Sequence, residues 1–137
     1  MDWNYPLATE KPEICVNGEN RIQSMFNAVA PKYDFLNCLL SVGCDRFWRK
    51  AAVSEFKSLG NKTFLDVATG TADIPLEIGK RYPKPMQIVG IDFSLSMLKV
   101  GNKKISNNKL NNDIKLIPGA AENIPFKDHS FDGVITS

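Results

Sequence analysis

The sequence predicts an α/β protein built on an open, doubly wound parallel sheet. Three observations predict it. From residue 62 onward, short apolar runs alternate with helical patterns; the first run leads into a small-residue loop, LDVATGTAD (65 to 73); and acids stand where the first two runs end, at Asp66 and Asp92. Strand, helix, strand, helix, strand is the pattern of βαβ units, whose right-handed crossovers lay parallel strands side by side.

Each element has its own signal. TFLDV (63 to 67) is β-branched and aromatic, as a buried strand should be, and QIVGID (87 to 92), IKLIP (114 to 118) and FDGVITS (131 to 137) are the second, third and fourth such runs. Between them, IPLEIGKRY (74 to 82) and SLSMLKVGNKKI (94 to 105) carry helical periodicity. Upstream, Ile22, Met25, Phe26 and Val29 recur at helical spacing until Pro31, a short helix is expected from Pro31 towards Gly43, and a third starts at Asp45, as N-cap or first-turn acid, and stops at Gly60. Its aromatic residues Phe47, Trp48 and Phe56 are expected to pack in a core. Residues 1 to 20 lack periodicity and are expected to form a mobile tail, 21 to 61 a helical lid, and 62 to 137 the ligand-binding core.

Composition excludes several classes. With 43% hydrophobic and 23% charged residues, the chain suits one ordinary globular domain. Its 17 basic and 15 acidic residues are spread evenly, so no basic arm marks it as a nucleic-acid binder. Cys15, Cys38 and Cys44 form no C-x-x-C pair and there is one histidine, so no zinc constellation is expected and a reduced, cytoplasmic setting is. No signal peptide or membrane span is apparent.

Ligands of open α/β sheets lie beyond the carboxyl ends of the strands, at the topological switch point. Here that edge carries Asp66 to Asp73, Asp92 to Ser94, Gly119 to Glu122 and Ser137. A dinucleotide fingerprint would need glycines at Ala68, Gly70 and Asp73, and only the middle one is met. Asp73, taken as the N-cap of the following helix, would also repel a pyrophosphate from the helix N-terminus. No Walker lysine follows. S-adenosylmethionine fits better, because it has a ribose diol and a cationic methionine end but no phosphate. Asp66 would meet that cationic end, Gly70 would admit close backbone approach, and Asp92, 22 residues on, stands where a carboxylate meets ribose hydroxyls. Methyl transfer from a sulfonium asks for no metal.

LDVATGTAD, GIDFSLSML and GAAENIPFKDHSFDGVITS resemble successive motifs of the Rossmann-like class I S-adenosylmethionine-dependent methyltransferases. The stretch APKYDFLNCLLSVGCDRFWRK narrows the match: it is similar to the Y-D-x-M-N-x-x-[LIVM]-S-x-x-x-H-x-x-W signature of the ubiquinone/menaquinone biosynthesis C-methyltransferases, with Tyr33, Asp34, Asn37, Leu40, Ser41 and Trp48 in register. The resemblance implies a cofactor site of Thr71 beside the methionine carboxylate, Asp92 on the ribose, Ala120 and Ala121 beside the adenine, and Ser137 at the end of the fourth strand. It implies a prenylated quinol as substrate, a demethylmenaquinol or a polyprenyl methoxybenzoquinol, methylated at a ring carbon. Tyr33, Asp34 and Asp45 would face that substrate if the N-terminal helices form a lid. No general base is assigned, and lone His129 reads as a solvated turn residue.

Four positions depart from the family pattern, the mildest being Leu36 where the signature has methionine. Ala120 stands where an Asp or Asn is common, Asp45 where the signature has histidine, and Ala72 where the loop usually has glycine. A later family signature, R-V-[LIVM]-K-[PV]-[GM]-G, has no counterpart, so the resemblance implies the N-terminal portion of a longer enzyme, truncated after the fourth strand. An exposed fourth strand would favour homodimers, and the greasy substrate suggests contact with the inner membrane surface. Two other readings stay open: a methyltransferase of this fold acting on another small molecule, and a non-catalytic module that binds cofactor or a partner.

Overall fold

The computed structural model of the 137-residue chain describes Met25 and residues 28–33, 40, 41, 44–54, 63–82, 86–111 and 113–136. Four strands form one parallel sheet: β1 (Thr63–Val67), β2 (Gln87–Asp92), β3 (Ile114–Pro118) and β4 (Gly133–Thr136). Their order is β3-β2-β1-β4. The helices are α1 (Cys44–Ser54), α2 (Asp73–Arg81) and α3 (Leu95–Asn107), preceded by a 3-10 turn at Ala30–Lys32. The strands fall where the apolar runs predict them, because each run is bounded by residues that suit turns.

The order of the strands decides where a ligand can bind. The chain builds outward from β1 to β2 to β3 and then returns to the other side of β1, so the switch point lies between β1 and β4. Parallel register puts Val67 beside Thr136 and Ile91, and Asp92 beside Pro118, so all four carboxyl ends meet on one edge.

The two faces of the sheet are covered differently. Phe64, Ile88 and Ile114 turn toward the helices, where they pack with Val53, Ile74, Ile78 and Ile105. Asp66 shares that face, since side chains alternate along a strand. Leu65, Val67, Val89 and Ile91 turn the other way and meet Ile117, Phe126 and Phe131. The last two rings stack edge to face with centroids 4.8 Å apart. β3 and β4 are the edges of the described sheet, and Val134 on β4 is exposed.

Helix α1 corrects one expectation. Phe47 and Trp48 are not core residues; they are 71% and 66% exposed. Among the described side chains of α1, Val53 is the buried one, and the Tyr82 hydroxyl donates to its carbonyl at 2.7 Å. At about 100° per residue, Trp48 and Phe47 lie roughly 140° and 120° to either side of Val53, off the buried stripe. Phe56, Gly60, the tail of residues 1 to 20 and most of the segments predicted as the first two helices lie outside the described residues. Met25, Ala28 and Val29 are helical, and the 3-10 turn packs against α3 with Ala30 buried.

Candidate active site

The loop between β1 and α2 alternates in hand. Ala68, Gly70 and Ala72 have φ of 60°, 54° and 63°, all left-handed. A side chain costs energy there, so glycine at 70 is explained by backbone conformation; its missing Cβ would touch nothing within 4 Å. That space is open to a ligand. Ala72 shows why a glycine would suit its position. It adopts the left-handed conformation and is fully buried, and its carbonyl accepts the first helical bond from the Leu76 N–H at 3.0 Å.

Asp73 is therefore not the N-cap of α2; Ala72 is. The Asp73 carboxylate reaches sideways instead. It accepts from the Arg49 guanidinium of α1, and from Lys104 Nζ of α3 at 2.6 Å. Lys104 Nζ also donates to Thr71 Oγ1 at 2.9 Å. Two cations offset the charge expected to repel a pyrophosphate, so that argument fails. A different one replaces it: the N–H of Thr69 is spent on the Ile91 carbonyl (2.9 Å), that of Gly70 on Asp92 Oδ2 (2.8 Å) and that of Ala72 on the Thr69 carbonyl (2.9 Å). A phosphate cradle needs such groups pointing outward.

Asp66 lies beneath the loop, bonded to Thr69 and not itself on the cleft lining. It is fully buried; Oδ2 accepts from Thr69 Oγ1 at 2.6 Å, and Oδ1 has no hydrogen-bond partner among the described residues. Its pKa is raised to about 7: burial is the main cause, the Thr69 bond lowers it, and the neighbouring Asp92 charge adds a smaller rise. Gly90, beside Asp66 in the register, makes room for this arrangement: a Cβ there would stand 2.7 Å from Thr69 Oγ1.

Asp92 ties the two strand ends together. Oδ2 holds the Gly70 N–H and Oδ1 the Ser94 N–H at 2.8 Å. Ser94 caps α3, its side chain accepting from the Met97 N–H at 3.3 Å. Ala120 and Ala121 follow β3 on the same edge, Ala120 bridging to Asn123. His129 is an exposed turn residue with φ of 59°.

A cleft of about 670 Å³ opens over the switch point. Its floor is Ala68 to Thr71, Asp73 and Ile74, with Ile135 and Thr136 of β4; its wall is Trp48, Arg49 and Ala52 of α1, with Tyr33, Leu40 and Ser41. Tyr33, expected to face the substrate, lines this cleft. Asp34 and Ser137 lie outside the described residues, as does the Asp45 side chain, although its backbone is in the first turn of α1. Among the described residues, no group of three His, Cys, Asp or Glu side chains is placed to hold a metal ion.

Sequence reasoning missed Arg49, Lys104, Thr69 and Gly90. Thr69 was within reach, since it stands only three residues after the acid whose carboxylate it meets. Lys104 meets Asp73 across 31 residues and Arg49 meets it across 24, and no local pattern encodes either contact.

The model of the ubiE/COQ5 methyltransferase family matches residues 14–137. The chain is 46% identical over 114 residues to the ubiquinone/menaquinone biosynthesis C-methyltransferase UbiE of Geotalea daltonii, covering 83% of this chain and 48% of that protein. It is 40% identical over 129 residues to the demethylmenaquinone methyltransferase of Porphyromonas gingivalis, covering 94% and 51%. The chain thus spans about half the length of these relatives. In fold it is similar to a SAM-dependent methyltransferase from Aquifex aeolicus, with a TM-score of 0.56 at 20% identity over 64% of this chain and 46% of that one.

Proposed function

The chain belongs to the ubiE/COQ5 methyltransferase family, and from that premise we propose that it binds S-adenosylmethionine at the β1–β4 switch point and serves the C-methylation of a prenylated quinol. The observation that carries the cofactor reading is Asp66: a fully buried carboxylate with one unpartnered oxygen, at the foot of a loop whose central glycine faces open space. A buried acid without a partner is costly, and a cationic ligand group is what would offset it.

In this reading Asp66 holds the cationic methionine end, directly or through one water. Thr71 offers its hydroxyl to the methionine carboxylate. Asp92 spends one lone pair of each oxygen on the Gly70 and Ser94 N–H groups, which leaves acceptor capacity for both ribose hydroxyls. Ala120 and Ala121 offer backbone groups to the adenine, and Ser137 is the further residue we assign to the cofactor. When bound, the cofactor supplies an electrophilic methyl group. The chain's own task is alignment and exclusion of water: Tyr33, Trp48 and Ala52 wall the cleft over Thr71, and Tyr33, Asp34 and Asp45 are the polar groups we assign to the quinol. The segment 21–61 then acts as a lid on the core of 62–137.

The substrate class rests on the similarity to the two quinone-pathway enzymes. A polyprenyl tail needs an apolar landing place, and Leu40, Phe47 and Trp48 are exposed on the lid beside the exposed Lys50. We assign this patch to the inner face of the cytoplasmic membrane, a surface contact, since no described helix is long and apolar enough to cross a bilayer. Pairing of two copies is a further part of this proposal, for which sedimentation equilibrium is the check.

Calorimetric titration with S-adenosylmethionine and with NADH tests the cofactor. S-adenosylmethionine should bind the tighter, and Asp92→Ala should weaken it by at least tenfold; tighter binding of NADH sinks the assignment. Because a cation favours ionised Asp66, binding should release up to one proton near pH 7 and tighten as pH rises from 6 to 8. Incubation with demethylmenaquinol against non-quinol acceptors tests the substrate, and methylation of another acceptor in preference overturns it.

A further inference from the structure

Asp73 sits at the end of the loop that, in the cofactor reading above, receives the methionine carboxylate at Thr71. Two carboxylates brought together there would repel each other. The structure surrounds Asp73 with two cations, Arg49 and Lys104, both only about a quarter exposed in their side chains. Both cations bear on the end of the loop, so the aspartate standing there does not by itself turn an anion away. The two cations differ in reach. Arg49 is on the wall of the cleft beside Thr69, Gly70 and Thr71, whereas Lys104 is not part of the cleft lining and acts on Thr71 Oγ1 and Asp73 Oδ1 from behind.

We propose that Arg49 is a further cofactor-binding residue, which recognises the α-carboxylate of the cofactor's amino-acid end, and that Lys104 is a positioning residue that holds the Thr71 hydroxyl and Asp73 for it. A guanidinium can keep Asp73 on one nitrogen and give a second N–H to an incoming carboxylate. The division of charge along the site follows. Buried Asp66 with its unpartnered oxygen takes the ammonium, and the Arg49 side takes the carboxylate, so a zwitterionic amino acid has one orientation.

This inference rests on the cofactor reading, and two ligands separate their failures. Decarboxylated S-adenosylmethionine keeps the adenosine, the sulfonium and the amino group and lacks only the carboxylate. The wild-type chain should bind S-adenosylmethionine about tenfold or more tighter than this analogue. Arg49→Met should weaken S-adenosylmethionine by about tenfold or more and change the analogue by less than about twofold, with Arg49→Lys recovering part of the loss. Lys104→Met should narrow the preference in the same direction by a smaller factor. Loss of affinity shared equally by the two ligands would show that Arg49 and Lys104 only hold the fold and would overturn the inference while leaving the cofactor reading intact. Unchanged binding in Arg49→Met would do the same. Failure of the wild-type chain to bind either ligand would overturn both.

Discussion

Two junctions join a strand to a helix on the same edge of this sheet, and they are built on opposite terms. Between β2 and α3 the turn is orthodox: Ser94 is in extended conformation and caps the helix, and Asp92 takes the Ser94 N–H. Between β1 and α2 nothing caps by side chain; three residues of five are left-handed, the N-cap is an alanine, and a carboxylate is buried with one oxygen unpartnered. The first junction is what stability alone would choose. The second keeps strain and an uncompensated acid, and it is the one that floors the cleft. Local strain at a site whose surroundings fix it points to a ligand that makes use of it.

Substitutions sharpen this contrast. Asp66→Asn has the largest expected effect. With a folded pKa near 7 against 3.8, the folded state holds a proton that the unfolded chain has released, so the wild type loses stability as pH rises from about 4 to 7. Asparagine removes that loss. The variant should be more stable than wild type by about 2–4 kcal/mol at pH 8, the gain shrinking toward zero near pH 4, while S-adenosylmethionine binding collapses. Chemical denaturation at the two pH values checks this, and equal stability at both would break the contrast.

Gly90→Ala comes next. Its Cβ would meet Thr69 Oγ1 at 2.7 Å and Thr69 Cγ2 at 2.9 Å, so rotating Thr69 gives no relief. A cost of about 1–3 kcal/mol is expected, together with loss of the Thr69–Asp66 bond and a further rise of the Asp66 pKa. Ser94→Ala, at the orthodox junction, should cost about 1 kcal/mol of stability as an ordinary cap does, and thermal unfolding measures it. Its effect on cofactor affinity should be under about twofold, because Asp92 retains the residue 94 N–H.

Ala72→Gly has the smallest expected effect. Relief of the left-handed strain, worth about 1 kcal/mol, is offset by about 0.8 kcal/mol for the buried methyl group and by the greater freedom of glycine in the unfolded chain. The net change should lie within about 1 kcal/mol of zero. Gly101 of α3, close to the Ala72 methyl group, explains how alanine is accommodated; a larger side chain at 72 would have no room.

The four strands and the helices α2 and α3 were legible because their signals are local: short β-branched runs, helical periodicity between them, and acids at strand ends. The placement of Asp66, Gly70 and Asp92 at the carboxyl edge was legible for the same reason, since strand ends and turns are set by neighbours in sequence. The aromatic pair on α1 was misread because periodicity locates an apolar stripe without saying which stripe the rest of the fold covers. Val53 won the interior and Phe47 and Trp48 were left outside.

What the sequence determined by itself is the alternation that makes a parallel α/β sheet and the family motifs along its carboxyl edge. What only the tertiary structure decided is the electrostatics of that edge. Asp73 reads in sequence as a capping acid, and in the fold it is the centre of an ion cluster assembled from α1, α2 and α3. Asp66 reads as one strand-end acid among several, and its raised pKa comes from the helices that cover its face of the sheet. Charge interactions depend on distance and desolvation, and both are set by segments far apart in the chain.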